Sequence, residues 1–321
     1  MMNAIWIVLG LALLLAGGEA LVRGATDIAL RARISPAVVG LTIVAAGTSM
    51  PELVVSLQST LEGRPGLAVG NVVGSNIFNI AAILGLTALI RPLKIRGNTV
   101  RLEWPVMMLA ALLFVLLTRD GQCNRLEGAL LFAAMLAFFA YVVWLAKHGA
   151  TPVEREGLAA VVSGPLLRRG KVAVLFDLAA VAAGIGLLAG GSTLLVRGAV
   201  GIASALGVSE AVIGLTIVAA GTSAPELATS LVAAWRGRDD IAVGNVIGSN
   251  IFNVLGIVGA TALIHPLEIP QEVVARDNWW MIGASLLLFP LMKTGMRINR
   301  LEGALLFAGF VLYIVLLIAR V

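Results

Sequence analysis

Residues 38–57 read VVGLTIVAAGTSMPELVVSL and residues 212–231 read VIGLTIVAAGTSAPELATSL, both inside strongly apolar segments. The match continues at the same offset of 174: residues 70–79 read GNVVGSNIFN and residues 244–253 read GNVIGSNIFN. Over the windows 38–80 and 212–254, 29 of 43 positions are identical. Shared hydrophobicity alone does not preserve Gly, Asn, Pro and Glu in register, so the chain is an internal duplication. Each copy carries one glutamate inside an apolar run, which points to an ion site with two-fold character.

Composition fixes the solvent. With 59% hydrophobic residues, 13% charged residues and a mean hydropathy of +0.99, the chain cannot cover a water-facing surface with polar groups. A bilayer asks for no such cover, and the chain reads as an integral membrane protein. Apolar runs of about the length that spans a hydrocarbon core occur near 4–22, 35–61, 67–90, 104–118 and 126–146. They recur near 172–195, 209–235, 241–264, 278–292 and 301–319. The expected fold is therefore all-α, with ten transmembrane helices: a first five-helix repeat over 1–146, a short cytoplasmic linker over 147–171, and a second repeat over 172–321. An odd number of crossings per repeat makes the second copy enter the membrane upside down. Inverted repeats with helices broken near the midplane let one site open alternately to either side.

Loop charges give an independent topology. If the N-terminus is outside, the inside loops hold Arg23, Arg31 and Arg33, then Arg91, Lys94, Arg96 and Arg101, then Lys147, Arg155, Arg168, Arg169 and Lys171, then Arg236 and Arg238, and finally Lys293, Arg297 and Arg300. That is 17 of the 23 Lys and Arg residues, so the positive-inside rule places both termini outside. The same bias accounts for the pI near 10 without any nucleic-acid partner. Residues 1–4 lack a basic leader and no cleavage site follows the first apolar run, so no removable signal peptide is expected. A single cysteine, Cys123, excludes an intrachain disulfide and a cysteine-cluster metal site.

The chemistry lies in four segments. In Gly47-Thr48-Ser49-Met50-Pro51-Glu52 the proline has no N–H for the carbonyl of Gly47 and its ring opens that turn, freeing backbone oxygens. Thr48 and Glu52 are four apart and share a face, with Ser49 flanking. Carbonyl, hydroxyl and carboxylate oxygens at one depth suit hard cations such as Na+ and Ca2+. Gly221-Thr222-Ser223-Ala224-Pro225-Glu226 repeats the arrangement. The second pair of segments is read as carrying stripes and no breaks: Asn71, Ser75 and Asn79, and Asn245, Ser249 and Asn253, recur at intervals of four on one face. Gly70-x-x-x-Gly74 and Gly244-x-x-x-Gly248 permit close helix approach beside them.

Each of these features has a purely structural reading. Proline kinks, small-residue faces and buried Asn or Ser serve packing in many membrane helices. A midmembrane glutamate differs, because leaving it in lipid costs several kcal/mol and such residues are functional by default. Two of them in duplicated Pro-Glu contexts decide in favour of a site. Other polar groups carry less. Glu19 and Arg23 read as a local i,i+4 ion pair, unduplicated because Glu19 aligns with Thr193. Asn124 with Glu127, and Asn299 with Glu302, read as capping boxes. His148 and His265 read as surface residues, and Asp120, Asp239, Asp240 and Asp277 as solvated loop residues.

GTSMPE with GNVVGSNIFN, and GTSAPE with GNVIGSNIFN, closely resemble the two alpha repeats of sodium/calcium exchangers in the cation/calcium antiporter superfamily, in particular the compact prokaryotic members. The resemblance covers essentially the whole chain. It implies a diamond of cation sites at the centre of the inverted repeats. It assigns Glu52, Glu226, Thr48 and Thr222 to a calcium site. Sodium sites would draw on Ser49, Ser75, Ser223 and Ser249, with Asn79 between them and carbonyls near Ala45 and Ala219. Some relatives carry aspartate where this chain has Asn253, which removes one carboxylate here. Potassium-coupled members typically have that aspartate, so exchange is expected to be potassium-independent.

Glu52 and Glu226 offer about two negative charges, enough for one Ca2+ or to be shared by Na+ ions, so the two cargoes compete. Competition at one site with alternate exposure is exchange, and needs no covalent catalysis. The expected partners are Ca2+ and Na+ as cargo and the lipid bilayer of a prokaryotic plasma (inner) membrane; no cofactor, no nucleic acid and a monomeric chain are expected. A proton-coupled calcium exchanger would use the same glutamates as proton carriers. A channel is disfavoured because the polar residues gather at the midplane, and an intramembrane hydrolase because neither histidine accompanies a buried serine.

Overall fold

The computed structural model describes residues 2–32, 34–148, 171–207 and 219–319. In chain order these form α1 (Met2–Arg31), α2 (Pro36–Thr48), α3 (Met50–Leu61), α4 (Pro65–Ile90), β1 (Leu93–Lys94), α5 (Thr99–Leu117), β2 (Gln122–Cys123) and α6 (Arg125–His148). After residue 170 follow α7 (Lys171–Ala205), α8 (Ala219–Thr222), α9 (Ala224–Trp235), α10 (Asp239–Ile264), β3 (Leu267–Glu268), α11 (Asn278–Lys293), β4 (Arg297–Ile298) and α12 (Arg300–Ile318). Among the described residues seven helices are long and apolar enough to cross a membrane, and the bent pair α2–α3 makes an eighth. The shorter α11 and the pair α8–α9, broken at Ser223, complete ten spans; residues 208–218, which precede α8, lie outside the described residues. Most of the expected linker, 149–170, also lies outside them.

The inversion can be read from the two small sheets. Strand β1 precedes the spanning helix α5 and β2 follows it, so they lie at opposite membrane faces. β1 pairs with β4 and β2 with β3. Since β3 occupies in the second repeat the place of β1 in the first, equivalent elements sit on opposite faces. Among the described residues the expected cytoplasmic loops around 91–96 and 235–240 meet on one of them, hereafter the basic face: Arg96 pairs with Asp240 at 2.9 Å, and Arg91 Nη1 donates to the Trp235 carbonyl at 3.2 Å.

The longest helices, α1 and α7, pack on each other through glycine. A Cβ on Gly17 would fall 2.8 Å from the Leu188 nitrogen, and one on Gly191 would fall 2.9 Å from the Gly10 carbonyl. These glycines let the two backbones touch, the small-residue packing that replaces hydrophobic drive in lipid. Behind this pair the four site segments form the centre, with Leu21, Ile77, Ile80, Leu188 and Ile247 fully buried around them.

Both breaks occur where the prolines fall. Ser49 (φ −84°, ψ 9°) and Ser223 (φ −88°, ψ 8°) leave helical geometry just before Pro51 and Pro225, and α2 and α3 diverge by 42°. The neighbouring helices are irregular as well, contrary to the stripe-without-break reading. π-helical turns over Phe78–Leu84 and Phe252–Val258 interrupt α4 and α10 at Asn79 and Asn253. Such turns widen the helix and re-aim side chains, and they concentrate at functional sites.

Several peripheral expectations need correcting. Asp239 and Asp277 are buried and Asp240 is engaged with Arg96, so none is a free loop carboxylate. Asp239 Oδ2 accepts from the Lys94 backbone N–H at 3.2 Å, and Arg276 Nε donates to Asp277 Oδ1 at 2.7 Å. Asp177, inside an apolar run, pairs with Arg31. Both capping boxes form as expected, at Asn124 and Asn299, and His265 lies exposed. The side chain of His148 lies outside the described residues.

Candidate cation site

The four segments meet at the middle of the bundle, and each repeat completes the other. Ser49 Oγ donates to Glu226 Oε1 at 2.8 Å, and Ser223 Oγ donates to Glu52 Oε1, also at 2.8 Å. Ser223 Oγ lies 3.1 Å from Ser75 Oγ. Thr48 Oγ1 lies 3.1 Å from Asn245 Oδ1, and Thr222 Oγ1 donates to Asn71 Oδ1 at 3.4 Å. Glu52, Glu226, Ser49, Ser223, Asn79, Asn253 and Ser249 are all at or below 1% exposed, and Thr48, Thr222 and Ser75 are buried with them.

The helix breaks put these groups in one place. Because Ser49 and Ser223 sit in the hinge, their side chains leave the helix face that Glu52 and Glu226 follow and reach the opposite repeat. Asn71 and Asn245 brace the hinges from behind: Asn71 Nδ2 donates to Ser56 Oγ at 3.1 Å, and Asn245 Nδ2 to Ser230 Oγ at 3.1 Å. The stripe residues thus divide into braces (Asn71, Asn245) and groups aimed at the centre (Ser75, Asn79, Ser249, Asn253).

One pair escaped the stripe reading. Asn79 Nδ2 donates to Asn250 Oδ1 at 3.0 Å, and Asn253 Nδ2 to Asn76 Oδ1 at 3.1 Å. Asn76 and Asn250 engage the amide N–H ends of the two site asparagines and leave their oxygens to the centre. They are kept in both copies of GNVxGSNIFN but fall off the i+4 stripe, so only their duplication signals them.

At the centre four buried carboxylate and amide oxygens have no hydrogen-bond partner, Glu52 Oε2, Glu226 Oε2, Asn79 Oδ1 and Asn253 Oδ1, and neither does the buried Ser249 hydroxyl. Buried acceptors are rarely left so, because each forfeits its hydration. Two carboxylate and two amide oxygens, contributed equally by the two repeats, form an acceptor set that a hard cation would satisfy. Among the described residues no group of three or more His, Cys, Asp or Glu forms a metal cluster, so any ion here rests on the two glutamates and neutral oxygens.

Backbone oxygens are less free than the proline argument suggests. The Ala45 carbonyl accepts from the Ser49 N–H at 3.0 Å and lies 3.3 Å from Thr48 Oγ1. The Gly221 carbonyl, freed by Pro225, accepts from Ser192 Oγ on α7. The matching position on α1 is Gly18, which has no hydroxyl to give to Gly47.

A family model described as sodium/calcium exchanger protein matches residues 2–144 and 176–319. The inner membrane protein YrbG of Escherichia coli (strain K12) is 36% identical over 317 residues, 97% of this chain and 95% of that one. The sodium/calcium exchanger MaX1 of Methanosarcina acetivorans is 31% identical over 346 residues, 98% of each chain. A solved structure of the sodium-calcium exchanger NCX_Mj soaked with Na+ and Sr2+ superposes with a TM-score of 0.83 at 31% identity, covering 98% of this chain and 99% of that one.

Proposed function

The chain belongs to the sodium/calcium exchanger family and exchanges Ca2+ for Na+ by alternating access, and we propose that both cargoes use the single oxygen cage anchored by Glu52 and Glu226. The observation that carries this reading is the set of unpartnered buried carboxylate and amide oxygens at the centre, Glu52 and Asn79 from one repeat and Glu226 and Asn253 from the other. Ca2+ is held by both carboxylates with Thr48 and Thr222. Na+ ions take oxygens of Ser49, Ser75, Ser223 and Ser249, the amides of Asn79 and Asn253, and carbonyls near Ala45 and Ala219. Two glutamates balance one Ca2+, so a cage holding it has no charge left for a second cation, and binding one cargo displaces the other.

Asn79 and Asn253 coordinate through neutral oxygens. The cage therefore lacks the further carboxylate that would hold K+ beside the other cargo, and exchange runs without K+. Transport uses binding and gating alone, with no catalytic chemistry and no cofactor. The repeats comprise 1–146 and 172–321, joined by 147–171. The basic face lies in the cytoplasm of a prokaryotic inner membrane with both termini outside, which the excess of arginine and lysine on that face supports.

The test is Ca2+ uptake into Na+-loaded vesicles as the outward Na+ gradient is varied, with K+ replaced by a large organic cation and a pH gradient imposed separately. Uptake should rise with the Na+ gradient, ignore K+ and fail to follow pH alone. Uptake that needs K+ would refute the charge count at Asn253, and uptake driven by pH without Na+ would replace Na+ coupling with proton coupling.

A further inference from the structure

The two repeats treat their long helices differently. On the basic face α1 packs along α9 of the other repeat, whereas α7 makes no comparable contact with its equivalent partner α3. Gly18 allows the approach: a Cβ there would fall 3.3 Å from the Ala228 carbonyl oxygen. One residue on, Arg236 at the end of α9 makes a bidentate pair with Glu19 of α1, Nε to Oε2 at 2.9 Å and Nη2 to Oε1 at 2.6 Å. Arg23, one turn along, also bonds Glu19. On the opposite face the equivalent positions are Thr193, Arg197 and Glu62. There Arg197 lies over the Trp6 ring, and Glu62 accepts from Gln58.

The inverted repeats make these contacts alternatives. Exchanging the conformations of the two halves separates α1 from α9 as α7 is now separated from α3. We propose that Glu19, with Arg236 and Arg23, is an ionic latch that holds the path closed on the basic face and is released each time that side opens. An isolated surface ion pair contributes little, but a bidentate arginine pair within a three-member network is the arrangement that does. Glu19 is 27% exposed, so water weakens the latch without cancelling it. Its loss should move the ratio of the two open states by about fivefold.

The experiment reads the two paths with reporter cysteines in the full chain reconstituted in vesicles. Ala228→Cys reports on the closed side, where Ala228 is 8% exposed, and Val54→Cys on the equivalent position of the other side, where Val54 is 60% exposed. Cys123 stays in place, since burial pushes its thiol up to about 12 and keeps it unreactive at neutral pH. Glu19→Gln and Arg236→Gln should each raise the rate of alkylation at 228 by a water-soluble maleimide about fivefold and lower it at 54. The double exchange Glu19→Arg with Arg236→Glu keeps the local charge and should restore both rates. Unchanged rates would overturn the latch. A rise at 228 with no fall at 54 would equally overturn it, because that is local loosening without a shift between states.

Discussion

The two repeats agree where they bind and disagree where they slide. Glu52 and Glu226, Ser49 and Ser223, Asn79 and Asn253, and the braces Asn71 and Asn245 are identical pairs making matching contacts across the pseudo-two-fold. Against the long helices the pairs diverge: Gly18 answers Ser192, Glu19 answers Thr193, and Arg236 answers Glu62. A site reached from both sides must present the same groups to either path, which keeps the copies alike at the centre. Gates on two faces need not be equally stable, so the copies are free to differ there.

The sharpest way to break the comparison is to ask whether equivalent residues lie on opposite faces. Arg64 and Arg238 occupy matching positions. Cysteines placed at each should label all-or-none from opposite sides of a sealed vesicle, position 238 from the cytoplasmic side. Labelling from one side only would undo the inversion.

Next come the glutamates. Removing one of two charges around a divalent ion in a buried site forfeits several kcal/mol, so Glu52→Gln and Glu226→Gln should each cut Ca2+ transport at least about a hundredfold, and by similar factors. Activity retained by either purified variant would show that the two halves do not share the load. Smaller effects should follow at the second layer. Asn76→Ala and Asn250→Ala each strand an amide donor, at about 1–3 kcal/mol, and should weaken Ca2+ binding about tenfold; equal losses would support the symmetry, and a loss in one alone would break it. The smallest expected effect is at the unmatched position. Ser192→Gly, which gives the second repeat the first repeat's residue, leaves the Gly221 carbonyl without its side-chain donor. Stability in a thermal scan should fall by about 1–2 kcal/mol, and an unchanged midpoint would mean that the carbonyl finds another donor.

What the sequence made legible was local or duplicated. The Pro-Glu hinges, the capping boxes and the hydrophobic runs are set by residues within a few positions of each other, and the copied blocks flagged the site twice over. Less visible were pairings that exist only once the halves meet. Asn76 is off the polar stripe, and its partner Asn253 lies in the other repeat. Glu19 looked like half of a local pair because Arg23 is nearby in sequence, while Arg236 is 217 residues away. Asp239, Asp240 and Asp277 looked like solvated loop carboxylates for the same reason, since Lys94, Arg96 and Tyr313 respectively reach them only in the folded bundle. The π-helical turns at Asn79 and Asn253 also left no periodic signature, because one extra residue per turn is invisible to a four-residue spacing.

The central claim is that Na+ and Ca2+ contend for one cage built jointly by the two repeats. It is tested most directly by equilibrium Ca2+ binding to the purified chain at rising Na+ concentration, with choline keeping ionic strength constant. The expected result is that Na+ moves the Ca2+ midpoint steadily to higher concentration while the number of Ca2+ ions bound at saturation stays at one per chain. A Ca2+ midpoint indifferent to Na+, or a capacity that falls while the midpoint holds, would contradict it, because either outcome requires the two ions to occupy different places.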